Sequence, residues 1–204
     1  MPVGAVENSM KKYACYSLLH GFALLVLVVI GGCLDVQHTQ PAPSSHETTA
    51  TDAHQDDDFQ EVRALQNDLA ALNHYADIAE ARQVAQTAVT YSHRLAEKYG
   101  LVRPAVLHNL LVRVGLKERG LCYHWTEDLL KRLTALDLKT YQFHWGVAHR
   151  GSELREHNSV VITARRQAFD TGILLDPWRN SGDLYWSPVR TDRYPWKQRP
   201  PHEW

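Results

Sequence analysis

The sequence predicts an α+β domain in which a series of helices leads to a cysteine on a helix N-terminus, packed against a small antiparallel sheet. Three observations carry that prediction. Apolar residues recur at helical steps of three and four between residues 59 and 136, and strand-like runs fill residues 141–186. At the joint between the two textures stands Gly120-Leu121-Cys122-Tyr123-His124-Trp125. Cys122, Trp125, Leu129, Leu133 and Leu136 share one helical stripe, which turns the sulfur inward from a first turn. Unpaired N–H groups and the positive dipole end at such a position favour thiolate over thiol.

Ahead of the domain, residues 1–32 read as an export signal: Lys11 and Lys12 precede an apolar run at residues 18–30 that ends in small residues. That run is short for a membrane span. Ile30-Gly31-Gly32-Cys33 resembles the bacterial lipobox, which implies cleavage before Cys33 and anchoring of the mature protein to a bacterial membrane through a diacylated Cys33. Met10, directly before the two lysines, gives a more ordinary signal start than Met1. Leu34 lacks the acidic residue that retains enteric lipoproteins at the inner membrane, which points to the periplasmic face of the outer membrane. Residues 33–58 are polar and acidic, too poor in apolar surface to offset their ordering entropy, and are expected to form a tether. His38, His46 and His54 lie within it and belong to solvated linker rather than to a metal site.

The domain proper is residues 59–204. Val62, Leu65, Leu69 and Leu72 give residues 59–72 an apolar stripe. Ile78, Ala81, Ala85, Ala88, Ser92, Leu95 and Tyr99 do the same for residues 77–99, which Gly100 stops. Pro104 opens a third helix whose Leu107, Leu110, Leu111 and Val114 are expected to face the core, with Gly115 closing it. After the cysteine helix come four strands: residues 141–148, with a possible bulge at Gly146, then 159–164, 172–175 and 183–186. The proline-containing tail at residues 192–204 reads as an irregular wrap.

Composition narrows the function. The chain of 204 residues is 44% hydrophobic and 22% charged, enough for a sizeable core. From residue 61 onward 20 Lys and Arg face 16 Asp and Glu, a scattered excess with no basic helix or basic-aromatic ladder. That argues against nucleic acid as a partner and leaves an anionic cell-envelope polymer tolerable. The helical stripes are core rather than cofactor boxes, so no cofactor is expected. Of three cysteines, Cys15 and Cys33 belong to the export segment, which leaves Cys122 the sole thiol of the domain, without an intramolecular disulfide partner. A small hydrophobe in a helix core is the bland account of such a cysteine.

The sharper account needs partners. If Ala164 and Phe169 face each other across a four-residue turn at Arg165-Arg166-Gln167-Ala168, antiparallel pairing sets His157 opposite Asp176. Opposed side chains share a face with Cβ atoms about 4.5–5.5 Å apart, and a carboxylate there can hold an imidazole tautomer. A register shift of one residue would separate them. Gly120-x-Cys122 opening a helix, Glu156-His157-Asn158-Ser159-Val160-Val161 opening a strand and Leu174-Leu175-Asp176-Pro177-Trp178 closing the next resemble, in order and spacing, the transglutaminase-like branch of the papain-like cysteine superfamily. The likeness covers residues 115–186. It implies Cys122 as nucleophile, His157 as general base and then acid, Asp176 as its orienter, and a peptide or amide substrate in the cell envelope.

Further expectations attach to this site. Gln142 is a candidate oxyanion donor, while Trp125 and Trp178, with Trp145 and Trp186, are candidates to line a groove. His124, His144 and His149 are rival bases, and a zinc site of Cys122, His124 and His157 is a weaker rival because its spacing fits no common zinc motif. The alternative class is a non-catalytic envelope lipoprotein that uses the same fold for binding.

Overall fold

The structure, a computed structural model, describes residues 46–203, and their side chains from residue 55 on. The export segment, Cys33 and the first part of the tether lie outside the described residues. Helix α1 spans His46–Ala70. It therefore starts inside the stretch expected to be tether, because polar composition limits burial, not helicity. Gln55, Asp56 and Asp57 stay exposed, and extending a helix from an anchored turn adds one hydrogen bond per residue fixed. The anchor is Leu65 and Leu69, both fully buried.

Helix α2, Ile78–Lys98, begins at Asp77, whose Oδ1 accepts from the Glu80 N–H at 2.9 Å. The Glu80 carboxylate in turn accepts from the backbone N–H groups of Lys139 at 2.7 Å and Thr140 at 2.8 Å, tying the start of α2 to the start of the sheet. Helix α3 is Ala105–Arg113 and helix α4 is Cys122–Thr134. Strands β1 (Tyr141–Ala148), β2 (His157–Ala164), β3 (Ile173–Asn180), β4 (Asp183–Pro188) and β5 (Lys197–Gln198) form one antiparallel sheet in the order β4-β3-β2-β1-β5. The molecule is thus α+β, four helices and a five-stranded sheet.

Pleating divides the core in two. Tyr141, Trp145, Val160, Ile162, Ile173 and Leu175 face the helices and pack with Trp125, Leu129 and Leu133 of α4, then with α2 and α1 beyond it. On the opposite face, Ala148, Val161 and Leu174 pack under Val189 and Trp196 of the C-terminal segment.

Two expectations are corrected. Gly146 is not a bulge: β1 and β2 pair without interruption through Gly146 opposite Ser159, and a Cβ there would lie 3.3 Å from the Ser159 carbonyl oxygen, so close sheet packing is what suits glycine. The irregularity falls instead between Asp176 and Asn180, where β3 meets β4. Helix α3 is turned the other way from expectation, since Leu107, Leu110 and Val114 are exposed while Ala105 and His108 are buried. Polar anchoring outweighs its apolar stripe. His108 Nδ1 accepts from the Val102 N–H at 3.2 Å and its Nε2 bonds the Arg119 carbonyl at 2.8 Å, while Ser181 Oγ accepts from the Ala105 N–H at 3.0 Å.

Candidate active site

Cys122 is the first residue of α4 and the one free cysteine among the described residues. Its turn is built by neighbours. Gly120 takes φ +127°, and a Cβ on it would come within 2.2 Å of His108 Nε2, so the approach to the helix requires glycine. His124, at the third helical position, reaches back so that its Nδ1 accepts from the N–H groups of Gly120 (3.1 Å) and Leu121 (3.3 Å), a role more often filled by Glu or Gln. Burial, followed by the Arg119 guanidinium, holds His124 down at about 4. It is a neutral acceptor committed to the backbone. That disposes of it both as rival base and as zinc ligand.

The thiol, half-buried, lies against the start of β2. Cys122 Sγ is 3.9 Å from the Glu156 carbonyl oxygen and 3.9 Å from Asn158 Nδ2. His157 sits between those two residues at the strand's first position. It shares the face of Ala148, its partner on β1, and of Trp196, so its side chain leaves the sheet on the side away from α4. Position at the end of the strand lets the imidazole interact with the thiol even so.

The histidine and the aspartate meet as expected, but by a different register. Ile162 pairs with Ile173, Val161 with Leu174 and Val160 with Leu175, a shift of two from the pairing that the four-residue turn would impose. The turn is longer because Phe169–Thr171 coils into a 3₁₀ segment before β3 begins. Two is the period of the pleat, so the face is preserved. His157 Nε2 donates to Asp176 Oδ2 at 2.6 Å, with both side chains nearly inaccessible. Burial is the largest influence on His157 and pulls it down. The charge and hydrogen bond of Asp176, joined by a hydrogen bond with Cys122, outweigh it and raise the group to about 9.

Asp176 is itself held. Its Oδ1 accepts from the Arg179 N–H and its Oδ2 from Arg179 Nε, each at 3.1 Å. The same guanidinium donates from Nη1 to Asp192 Oδ2 at 2.7 Å and lies 4.0 Å from the Tyr185 ring centroid. Asp192 also accepts from the Tyr194 N–H at 3.0 Å and Trp196 Nε1 at 2.9 Å. Burial would raise its carboxyl, but the Arg179 bond and these N–H donors bring it to about 2. The rings of Trp178, Tyr194 and Trp196 lie 4.8, 5.2 and 5.4 Å from the imidazole.

Of the expected site residues, then, Cys122, His157, Asp176 and Trp178 converge. Gln142 does not: it is exposed, opposite Thr163 at the other end of β1 from Ala148 and His157. It stands six residue steps along the strand from that end, roughly 20 Å. Trp125 does not line a groove either; it is fully buried and its Nε1 donates to the Gly120 carbonyl at 2.8 Å. Among the other rival bases, His144 is occupied by Thr163 Oγ1 at 2.9 Å and Gln198 Nε2 at 3.1 Å, and His149 lies in the loop beyond β1, its ring 6.2 Å from that of Tyr194.

Sequence reasoning missed Asn158, Arg179, Asp192, Tyr194 and Trp196. Adjacency to His157 and Asp176 could have flagged the first two. The last three sit in a tail whose prolines mask its role. Compared with family models, with curated proteins and with solved structures, the chain matches none.

Proposed function

We propose that this protein is a thiol acyl-transfer enzyme, a peptidase or amidase or a transglutaminase-type transferase, with a papain/transglutaminase-like arrangement of Cys122, His157 and Asp176. The observation that carries the reading is the buried His157–Asp176 pair at 2.6 Å, at the end of the strand against which the thiol at the head of α4 lies. A histidine raised to about 9 is an imidazolium at neutral pH, the partner a thiolate needs. Nε2 is committed to Asp176, which leaves Nδ1 for the sulfur and the leaving group.

The chemistry follows from those positions. The Cys122 thiolate adds to an amide carbonyl carbon, the C–N bond breaks, and the His157 imidazolium gives its proton to the departing amine. Neutral His157 then takes a proton from water or from a second amine as it attacks the thioester, the C–S bond breaks, and an acid or a new amide leaves as the thiolate–imidazolium pair is restored. Asp176 holds the ring and balances its charge throughout. On this proposal the activity works at the envelope on peptides or amides there, with the protein anchored through Cys33, a reading the lipobox-like segment supports.

Labelling of the mature protein, cleaved before a lipidated Cys33 so that Cys122 is its one unmodified thiol, with a thiol-directed acyl probe tests the proposal. Wild type is expected to label at Cys122, Cys122→Ala not at all, and His157→Ala and Asp176→Asn far more slowly. A wild-type thiol that resists the probe while alkylating only at the rate of an ordinary surface cysteine overturns it and leaves a binding role.

A further inference from the structure

We infer that the side-chain amide of Asn158 is an oxyanion donor of this site, paired with the Cys122 backbone N–H. The assignment rests on the acyl-transfer reading above and goes beyond it by naming the group that receives the carbonyl oxygen.

Asn158 is buried on the α4 face of β2, next to the thiol. Its orientation is fixed from behind. Trp145 Nε1 donates to Asn158 Oδ1 at 2.7 Å, so the carbonyl end of the amide is taken and the NH₂ end must point toward the thiol. A flipped amide would lose the indole bond and aim an oxygen at the sulfur anion. One N–H is directed to Glu156 Oε1 at 3.3 Å; the other faces Sγ at 3.9 Å, long for a bond to sulfur. A carbonyl oxygen carried in on the carbon that Sγ attacks takes that second hydrogen in place of the sulfur. The Cys122 N–H, one of the orphan donors of the first helical turn, comes from the nucleophile's own residue.

In the step itself, the sulfur lone pair forms the S–C bond while the C=O π pair moves onto oxygen, and the new oxyanion is held by both N–H donors. Collapse restores the carbonyl and expels the amine with the His157 proton. Trp145 acts as a positioning residue, since it fixes the amide without touching the reacting atoms.

The test compares two reactions of Cys122. Acylation by a p-nitrophenyl ester passes through an oxyanion; alkylation by iodoacetamide does not. In Asn158→Ala, acylation is expected to slow by about 10²–10³-fold while alkylation at the same pH stays close to wild type. Trp145→Phe, which keeps an aromatic ring but releases the amide, is expected to give a smaller loss in acylation alone and guards against a folding failure in the first variant. Unchanged acylation, or equal losses in both reactions, overturns the assignment. A wild type that alkylates but is not acylated overturns the acyl-transfer reading itself and the oxyanion role with it.

Discussion

Arg179 is the residue on which the second layer of the site turns. Its side chain is only 8% exposed and it bridges Asp176 and Asp192, the latter with a side chain fully buried. Removing a buried cation strands its anions, so Arg179→Met is expected to cost about 3–5 kcal/mol in urea denaturation. Lysine is not expected to rescue it, because one ammonium cannot serve two carboxylates and stack on Tyr185 as the planar fork does. His157 makes a prediction about pH. Its basicity is higher in the folded chain, about 9 against an ordinary 6.5, so folding takes up a proton. The resulting stabilisation is full below pH 6.5 and is lost as pH rises to 9 and beyond, on the order of 3 kcal/mol in all. Denaturation midpoints measured between pH 6 and 10 should show that fall in wild type, and a flatter profile in His157→Gln. The Asp176 partner that raises the imidazole was legible in the sequence; the burial that opposes it was not, since it depends on residues far along the chain.

At the scale of elements, α3 and the β2–β3 turn teach opposite lessons. Periodicity located α3 but assigned its faces wrongly, because His108 and Asn109, rather than the leucines, bind the rest of the molecule; Asn109 Oδ1 accepts from Trp178 Nε1 at 3.1 Å. Leu110→Ser is therefore expected to change stability by no more than about 0.5 kcal/mol. His108→Ala, which strands the Val102 N–H and the Arg119 carbonyl, is expected to cost about 1–3 kcal/mol. Paired thermal melts would check both. In the turn, the register was misread by two residues, so His157 and Asp176 are not directly opposed, yet their side chains still meet on one face, since the face of a side chain depends only on parity. What the sequence could not convey was the 3₁₀ coil at Phe169–Thr171, which has no apolar period of its own.

For the molecule as a whole, α4 and the first four strands were legible because long apolar patterns of clear period specify them, and with them the order cysteine, histidine, aspartate. The C-terminal segment was not, because two residues of β5 and a handful of aromatics carry no repeat. Yet it completes the sheet edge, with Val147 opposite Lys197 and Gly146 opposite Gln198, and brings Trp196 over the imidazole. Removal of residues 193–204 is expected to leave the helical core folded while exposing His157. Amide exchange would then rise along β1 and at the start of β2, with α2 still protected.

That dependence sets a schedule. Asp192, Tyr194 and Trp196 leave the ribosome some seventy residues after Cys122. A nascent chain thus carries its sulfur through that stretch of synthesis before the groups that enclose the histidine exist, and the walled-in imidazole is assembled only once they have emerged.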